Sequence, residues 1–168
     1  ALGSAQVSTV HGRFIALSAL KRIYNRKLLK TDYVIAISNY VKDLITRQYV
    51  DVEKRLTVVH RGVDIDLFNP NNVNQTRIVN FVEGLAIPED VPVIMLPARA
   101  TMWKGHRILL QALAKIKDRP FICLMIGAGD GKLAFVSELV GYGQQLGLEG
   151  RFRLTPLVDD MPAALMVA

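Results

Sequence analysis

One cysteine, Cys123, stands among 168 residues, so no internal disulfide can staple the fold and a reducing compartment is expected. It lies within Phe121-Ile122-Cys123-Leu124-Met125-Ile126, where a thiol reads as a small buried hydrophobe. No run of about 18 apolar residues occurs, so no single segment reads as a membrane-spanning helix. Aromatics make up 7%, and too few interleave with the basic residues to form a base-stacking platform, which argues against nucleic acid as a partner. There is no internal repeat or low-complexity tract. The chain starts at Ala1 rather than Met, so a targeting leader is neither seen nor excluded.

What is present is a globular composition. Hydrophobic residues reach 51% and charged residues 21%, enough to build a packed core and unlike a disordered chain. At roughly 100 to 200 residues per domain, the length allows one ordinary domain or two small ones. Charge is unevenly spread. Residues 1–61 hold 11 basic and 4 acidic side chains, whereas 62–168 hold 10 and 11. The positive balance of the first third favours an anionic partner there: a phosphate-bearing substrate, nucleic acid or an acidic membrane surface.

Short apolar runs alternate with amphipathic stretches, the pattern of βα units around a parallel sheet. Strands are expected over 6–10, 33–37, 56–60, 93–96, 121–126 and 151–154, and their mostly continuous apolar character predicts sheets covered on both faces. Helices are expected over 16–30, 39–49, 74–85, 105–117 and 132–146. Ser38 or Asn39 is placed to cap the second and Leu146-Gly147 to end the last. Gly141 and Gly143 weaken the middle of that last helix, at about 1 kcal/mol each relative to Ala. The turn-rich run Arg61-Gly62-Val63-Asp64-Ile65-Asp66-Leu67-Phe68-Asn69-Pro70 coincides with the change in charge balance. It predicts a boundary between residues 1–61 and 62–168.

The segment with most chemical content runs from Val93 to Arg107. A buried strand ends, a loop carries Arg99 and Lys104, and a helix begins at about Gly105. The free N–H groups of a helix start and the positive end of its dipole suit an anion. Arg99 could grip two oxygens of that anion and Lys104 could add a mobile point charge. As an alternative, both are solvated loop charges. The later turn Gly127-Ala128-Gly129-Asp130-Gly131 lies at a strand's carboxyl end, where open α/β sheets bind ligands. Its glycines would let a sugar or nucleotide approach the backbone, or they simply make a turn. A dinucleotide fingerprint would need Gly at position 132, which is Lys132, and the phosphate-loop pattern fails at Ile126 and Leu133.

Taken in order, Arg61-Gly62-Val63-Asp64 with Phe68 and Pro70, then Arg99 with Lys104-Gly105, Ile126-Gly127-Ala128-Gly129-Asp130, and Val158-Asp159-Asp160-Met161-Pro162 resemble glycosyltransferase family 4. The resemblance covers nearly the whole chain. It implies an α/β chain of the GT-B type, made of parts of two Rossmann-like parallel-sheet domains. Residues 1–61 would be the later part of an N-terminal acceptor-side domain, and 62–168 the first part of a C-terminal nucleotide-sugar-binding domain. The implied activity is transfer of a sugar from a nucleotide-diphosphate donor to an acceptor hydroxyl, with retention, without a metal or other cofactor. Its expected setting is cell-envelope polysaccharide or lipopolysaccharide synthesis.

By the same resemblance, Arg99 and Lys104 bind the donor diphosphate with Gly105, and Gly127 and Gly129 lie against the donor. Val158 passes the nucleobase, and His11, in Val10-His11-Gly12, stands near the transferring sugar and the acceptor. The family's pair of glutamates separated by seven residues and the first N-terminal strands are not in this sequence, so an internal segment is implied. Such a segment is expected to be a poor catalyst, and its open sheet edges could pair with another copy.

Further features admit plain readings. Asp64-Ile65-Asp66 has the form of a metal-binding pair but sits in the expected interdomain connection. His11, His60 and His106 lack metal-ligand spacing. Asp159 or Asp160 could cap the final helix instead of serving the donor. Leu17, Leu20, Tyr24 and Leu28 recur at helical spacing among the basic residues of 20–30. This reads as a core-facing stripe with a solvated basic face, or as a surface that docks on anionic lipid. The setting is expected to be cytoplasmic, with peripheral contact at the inner membrane face under the second reading. Rival readings of the whole are a non-catalytic phosphate- or nucleotide-binding module and half of an NAD-dependent oxidoreductase.

Overall fold

The structure is a computed structural model that describes residues 3–12, 14–85 and 87–168. The chain divides into two compact units, Ala1–Val63 and Asp64–Ala168, two residues beyond the boundary expected after residue 61.

The first unit contains β1 (Val7–Val10), α1 (Ala19–Leu28), β2 (Tyr33–Ala36), α2 (Asn39–Gln48), a 3-10 segment over Val50–Arg55 and β3 (Leu56–Val58). The strands are parallel in the order β1-β2-β3, with Ser8 beside Val34 and Val34 beside Leu56. Ser38 caps α2, its hydroxyl accepting from the Val41 amide at 3.2 Å. Val41 and Ile45, one turn apart, then face the sheet. They pack with Val10, Val34, Ala36, Tyr49, Val52 and Leu56 as one core.

That core covers one face of the sheet. Val7 and Tyr33 are neighbours on the opposite face, where they are 57% and 60% exposed, and Thr9 and Thr57 are exposed as well. The expectation of two covered faces therefore fails in this unit. Alternation along each strand, not its mean apolarity, reports the single covered face.

α1 corrects a second expectation. Ser18 caps it, but the predicted stripe faces outward: Leu20 and Tyr24 are 79% and 61% exposed, and Leu17 and Leu28 are also exposed. The residues turned inward are Asn25 and Leu29. The core-facing reading is thus wrong for these four residues, and the core takes Leu29, just after the helix, instead. The C-terminal carbonyls of α1 are tied down, Leu28 O by the Ser8 hydroxyl at 2.8 Å and Leu29 O by Arg55 at 2.6 Å.

The second unit runs α3 (Gln75–Leu85), β4 (Val93–Met95), α4 (His106–Ala114), β5 (Ile122–Ile126), α5 (Leu133–Gln145), β6 (Phe152–Thr155) and α6 (Met161–Leu165). Its strands are parallel in the order β4-β5-β6. Every residue of central β5 is buried, and its two faces feed two cores. Cys123 and Met125 join Leu110 and Leu113 of α4 and Leu139 of α5. Ile122, Leu124 and Ile126 meet Ala164 of α6, with Phe81 and Leu85 of α3 against them. Each fully buried Leu contributes about 1.5–3 kcal/mol, so this sheet is fixed from both sides. α5 is continuous through its glycines. Gly143 is needed there because a Cβ would collide with the Phe152 ring, whereas nothing lies within 4 Å of a Cβ on Gly141.

Candidate functional site

The site begins where β4 ends. Amides of Leu96 and Ala98 continue the ladder to Leu124 O and Ile126 O at 2.8 and 2.9 Å. Arg99 is therefore the first residue beyond a backbone held to the central strand. A single 3-10 turn, Met102–Lys104, follows, and Gly105 reverses the chain with φ +82°, a left-handed conformation that glycine adopts without steric cost. α4 then starts with no side-chain cap, leaving its first amides without intrahelical partners at the positive end of the dipole. Nothing lies within 4 Å of a Cβ built on Gly105, so the approach to this helix start is open.

A cavity of about 450 Å³ lies at the carboxyl ends of the strands, lined by Pro97, Ala98, Arg99, Ile126, Gly127, Asp130, Leu157 and Met161. That volume falls in the range of small-ligand sites. The side chains of Arg99 and Lys104 make no hydrogen bond or ion pair with the described residues, so both cations are available to an anion. Of the residues expected here, Arg99 and Gly127 share the cavity. Lys104 is exposed beside the helix start and is not part of the lining, nor are Gly105, Gly129 and Val158.

The walls explain the glycine turn. Asp130 Oδ2 accepts from the Leu157 amide at 2.6 Å, and the amides of Gly127 and Gly129 donate to Pro156 O and Thr155 O at 3.1 and 2.9 Å. A Cβ on Gly129 would stand 3.0 Å from Pro156 N, and one on Gly131 2.7 Å from Ala100 Cβ. Gly129 and Gly131 thus let three loops of the protein close on one another, a role different from the ligand approach expected of Gly129. Gly127, with φ +78°, both turns the chain and lines the cavity. Val158 packs against the core around Ile122 and Leu124; the apolar side chain presented to the cavity is Leu157, 70% exposed. Asp130 and Leu157 are the site residues that sequence reasoning missed. Asp130 was visible in the glycine turn, but its partner across 27 residues was not.

Two further interactions brace the site. His106 is 1% exposed, with its Nε2 3.1 Å from Ala98 O. Burial pushes its pKa below the usual imidazole value, against an opposing effect of the Ala98 hydrogen bond. Asp160 caps α6 through the Ala163 amide and takes a two-pronged hydrogen bond from Arg77 Nε and Nη2, both at 2.7 Å. Of the two aspartates proposed as a cap, Asp160 has that role.

Elsewhere, Asp64 Oδ1 accepts from the amides of Asp66 and Leu67, so the Asp64-Ile65-Asp66 pair organises a turn. Among the described residues no group of three or more His, Cys, Asp or Glu gathers as a metal site. His11 borders a cavity of about 330 Å³ in the first unit, shared with Ser8, Phe14 and Leu28. Among the described residues no helix is long and apolar enough to cross a membrane.

Two units, each built on a three-stranded parallel sheet, the second with a loop cavity at its strand ends, have the GT-B type of fold. A crystal structure of a glycosyltransferase from Rickettsia africae superposes on 96% of this chain and 43% of its own, with TM-score 0.83 and 31% identity. The Anabaena protein HepE in complex with UDP-glucose shares the fold, with TM-score 0.82 and 23% identity over 96% of this chain and 44% of its own. Residues 1–67 match the family model described as Glycosyltransferase Family 4. A curated relative, D-inositol 3-phosphate glycosyltransferase of Xylanimonas cellulosilytica, is 28% identical over 77% of this chain and 31% of that protein. Over residues 1–67 the chain resembles glycosyltransferase family 4, and it spans less than half the length of these relatives.

Proposed function

We propose that the Arg99 cavity holds the diphosphate of a nucleotide sugar and that the protein transfers that sugar to an acceptor hydroxyl. The observation that carries this reading is a guanidinium without a partner among the described residues, lining a cavity of about 450 Å³, in the same loop as an uncapped helix start. As the glycosidic bond breaks, negative charge builds on the leaving diphosphate. Arg99, Lys104 and the amides at Gly105 and His106 would neutralise it more strongly in the transition state than in the bound donor. In this reading those cations do the work a metal does elsewhere, and transfer proceeds with retention of configuration. Leu157 would cover the base, and His11 would hydrogen-bond a sugar or acceptor hydroxyl. The UDP-glucose complex of HepE makes uridine diphosphate the first donor part to try.

The acceptor side of the proposal is a sugar or a lipid-linked sugar of the cell envelope, met at the inner membrane face. Leu20, Ile23 and Tyr24 stand exposed on α1 among Lys21, Arg22, Arg26, Lys27 and Lys30, which suits an anionic lipid surface. The test of the donor reading is equilibrium dialysis against UDP-glucose with and without a chelator. Binding that survives the chelator and is lost in Lys104→Ala is expected; binding that requires a divalent cation, or is indifferent to Lys104, contradicts it.

A further inference from the structure

Among the described residues, the buried side-chain polar atoms without a hydrogen-bond partner are Thr101 Oγ1 and His106 Nδ1, and both belong to the segment that carries Arg99 and Lys104. A buried polar group without a partner is a standing cost, and folded proteins keep few of them. Position 106 opens α4 and is 1% exposed, so an aliphatic side chain would fill it without that defect. A histidine there calls for a compensating role, and its other nitrogen supplies one.

Nε2 lies 3.1 Å from Ala98 O. Ala98 is already held from its other side, its amide donating to Ile126 O at 2.9 Å. The carbonyl of Ala98 belongs to the peptide plane from which Arg99 departs. With the amide of Ala98 tied to β5 and its carbonyl tied to the first residue of α4, that plane has one orientation. The loop is closed into a ring whose two ends are Ala98 and His106, and Gly131 packs against Ala100 inside it.

We propose that His106 is a positioning residue: as the neutral tautomer, it donates its Nε2–H to Ala98 O and thereby sets where the Arg99 guanidinium stands over the cavity. This rests on the diphosphate reading of that cavity. The imidazole touches no ligand. It acts through the backbone, and the lone pair left on Nδ1 is the cost of having a donor at this point.

The test combines ligand affinity with the chemistry of the ring, using UDP as the probe on the whole chain. His106→Leu keeps the volume apolar and removes the donor; the affinity for UDP is expected to fall by about tenfold. His106→Gln returns an N–H donor of similar reach and is expected to recover affinity to within about threefold of the unaltered protein. A ring filling a core would not be rescued by a polar amide. In the unaltered protein, nitrogen NMR of the imidazole is expected to show the Nε2–H tautomer, a result independent of how either variant folds. The Nδ1–H tautomer, or a folded His106→Leu with unchanged UDP affinity while Arg99→Ala loses it, overturns the positioning role and leaves the diphosphate reading standing. Unchanged affinity in Arg99→Ala overturns both.

Discussion

Arg77 and Asp160, 83 residues apart in sequence, meet in a two-pronged hydrogen bond with both contacts at 2.7 Å. Arg77 also donates to Asn72 O, and Asp160 also caps α6. The pair therefore joins the start of α3 to the junction between the loop carrying Leu157 and the first residue of α6, Met161, both of which line the cavity.

The pairing makes stability depend on acid in a defined direction. The Arg77 hydrogen bonds, and then the Ala163 amide, hold the Asp160 carboxyl at about 2, below its ordinary 3.8. A depressed carboxylate contributes stability that is complete above the unfolded value and is lost as pH falls through the folded one. Asp160→Asn keeps a capping oxygen but loses the charge. Its urea midpoint should lie below that of the unaltered protein at neutral pH, and the gap should close as pH falls from 3.8 towards 2. A gap that is constant with pH contradicts the pairing.

Neighbouring glycines of α5 should respond in opposite senses to the same change. Gly141→Ala enters open space and is expected to stabilise by about 0.5–1 kcal/mol. Gly143→Ala meets the Phe152 ring and should destabilise by about 1–3 kcal/mol. Thermal melts of the two variants check this, and equal shifts would contradict the packing of α5 on β6.

Cys123 is buried, and that burial pushes its thiol up to about 12. It should resist a thiol-specific reagent at neutral pH while the protein is folded and react on addition of denaturant. Rapid labelling of the native protein would mean that the β5 core opens readily.

Exposed apolar residues and five cations on and beside α1 lead to a prediction about lipid. Binding to anionic vesicles should weaken as salt rises, and replacing Lys21, Arg22, Arg26, Lys27 and Lys30 with Gln should abolish it. Equal binding to neutral vesicles would count against an electrostatic surface.

Much of this architecture was legible in the sequence because β5 and its neighbours carry continuous apolar runs and the loops between carry glycine, proline and aspartate. Each expected strand and helix exists, most with ends trimmed by one to a few residues, as at Val93–Met95 and His106–Ala114, and the last strand shifted by one residue to Phe152–Thr155. What was not legible depends on partners distant in sequence. The apolar spacing within residues 19–28 does not show that Leu20 and Tyr24 stay exposed while Asn25 and Leu29 are buried. Leu157 and Val158 are both apolar, and only the folded loop, with the Leu157 amide held to Asp130, shows that Leu157 lines the cavity while Val158 packs on the core. The roles of Gly129 and Gly131 were hidden for the same reason, since Thr155 and Ala100 lie in other loops.

The decisive measurement is calorimetric titration of Arg99→Ala with UDP and, separately, with uridine. A guanidinium that grips the diphosphate contributes about 1.5–3 kcal/mol through charge-assisted hydrogen bonds. UDP affinity should therefore drop by about tenfold or more while uridine binding, which lacks phosphate, stays as it was. Equal losses for both ligands, or no loss for UDP, would contradict a diphosphate held by Arg99.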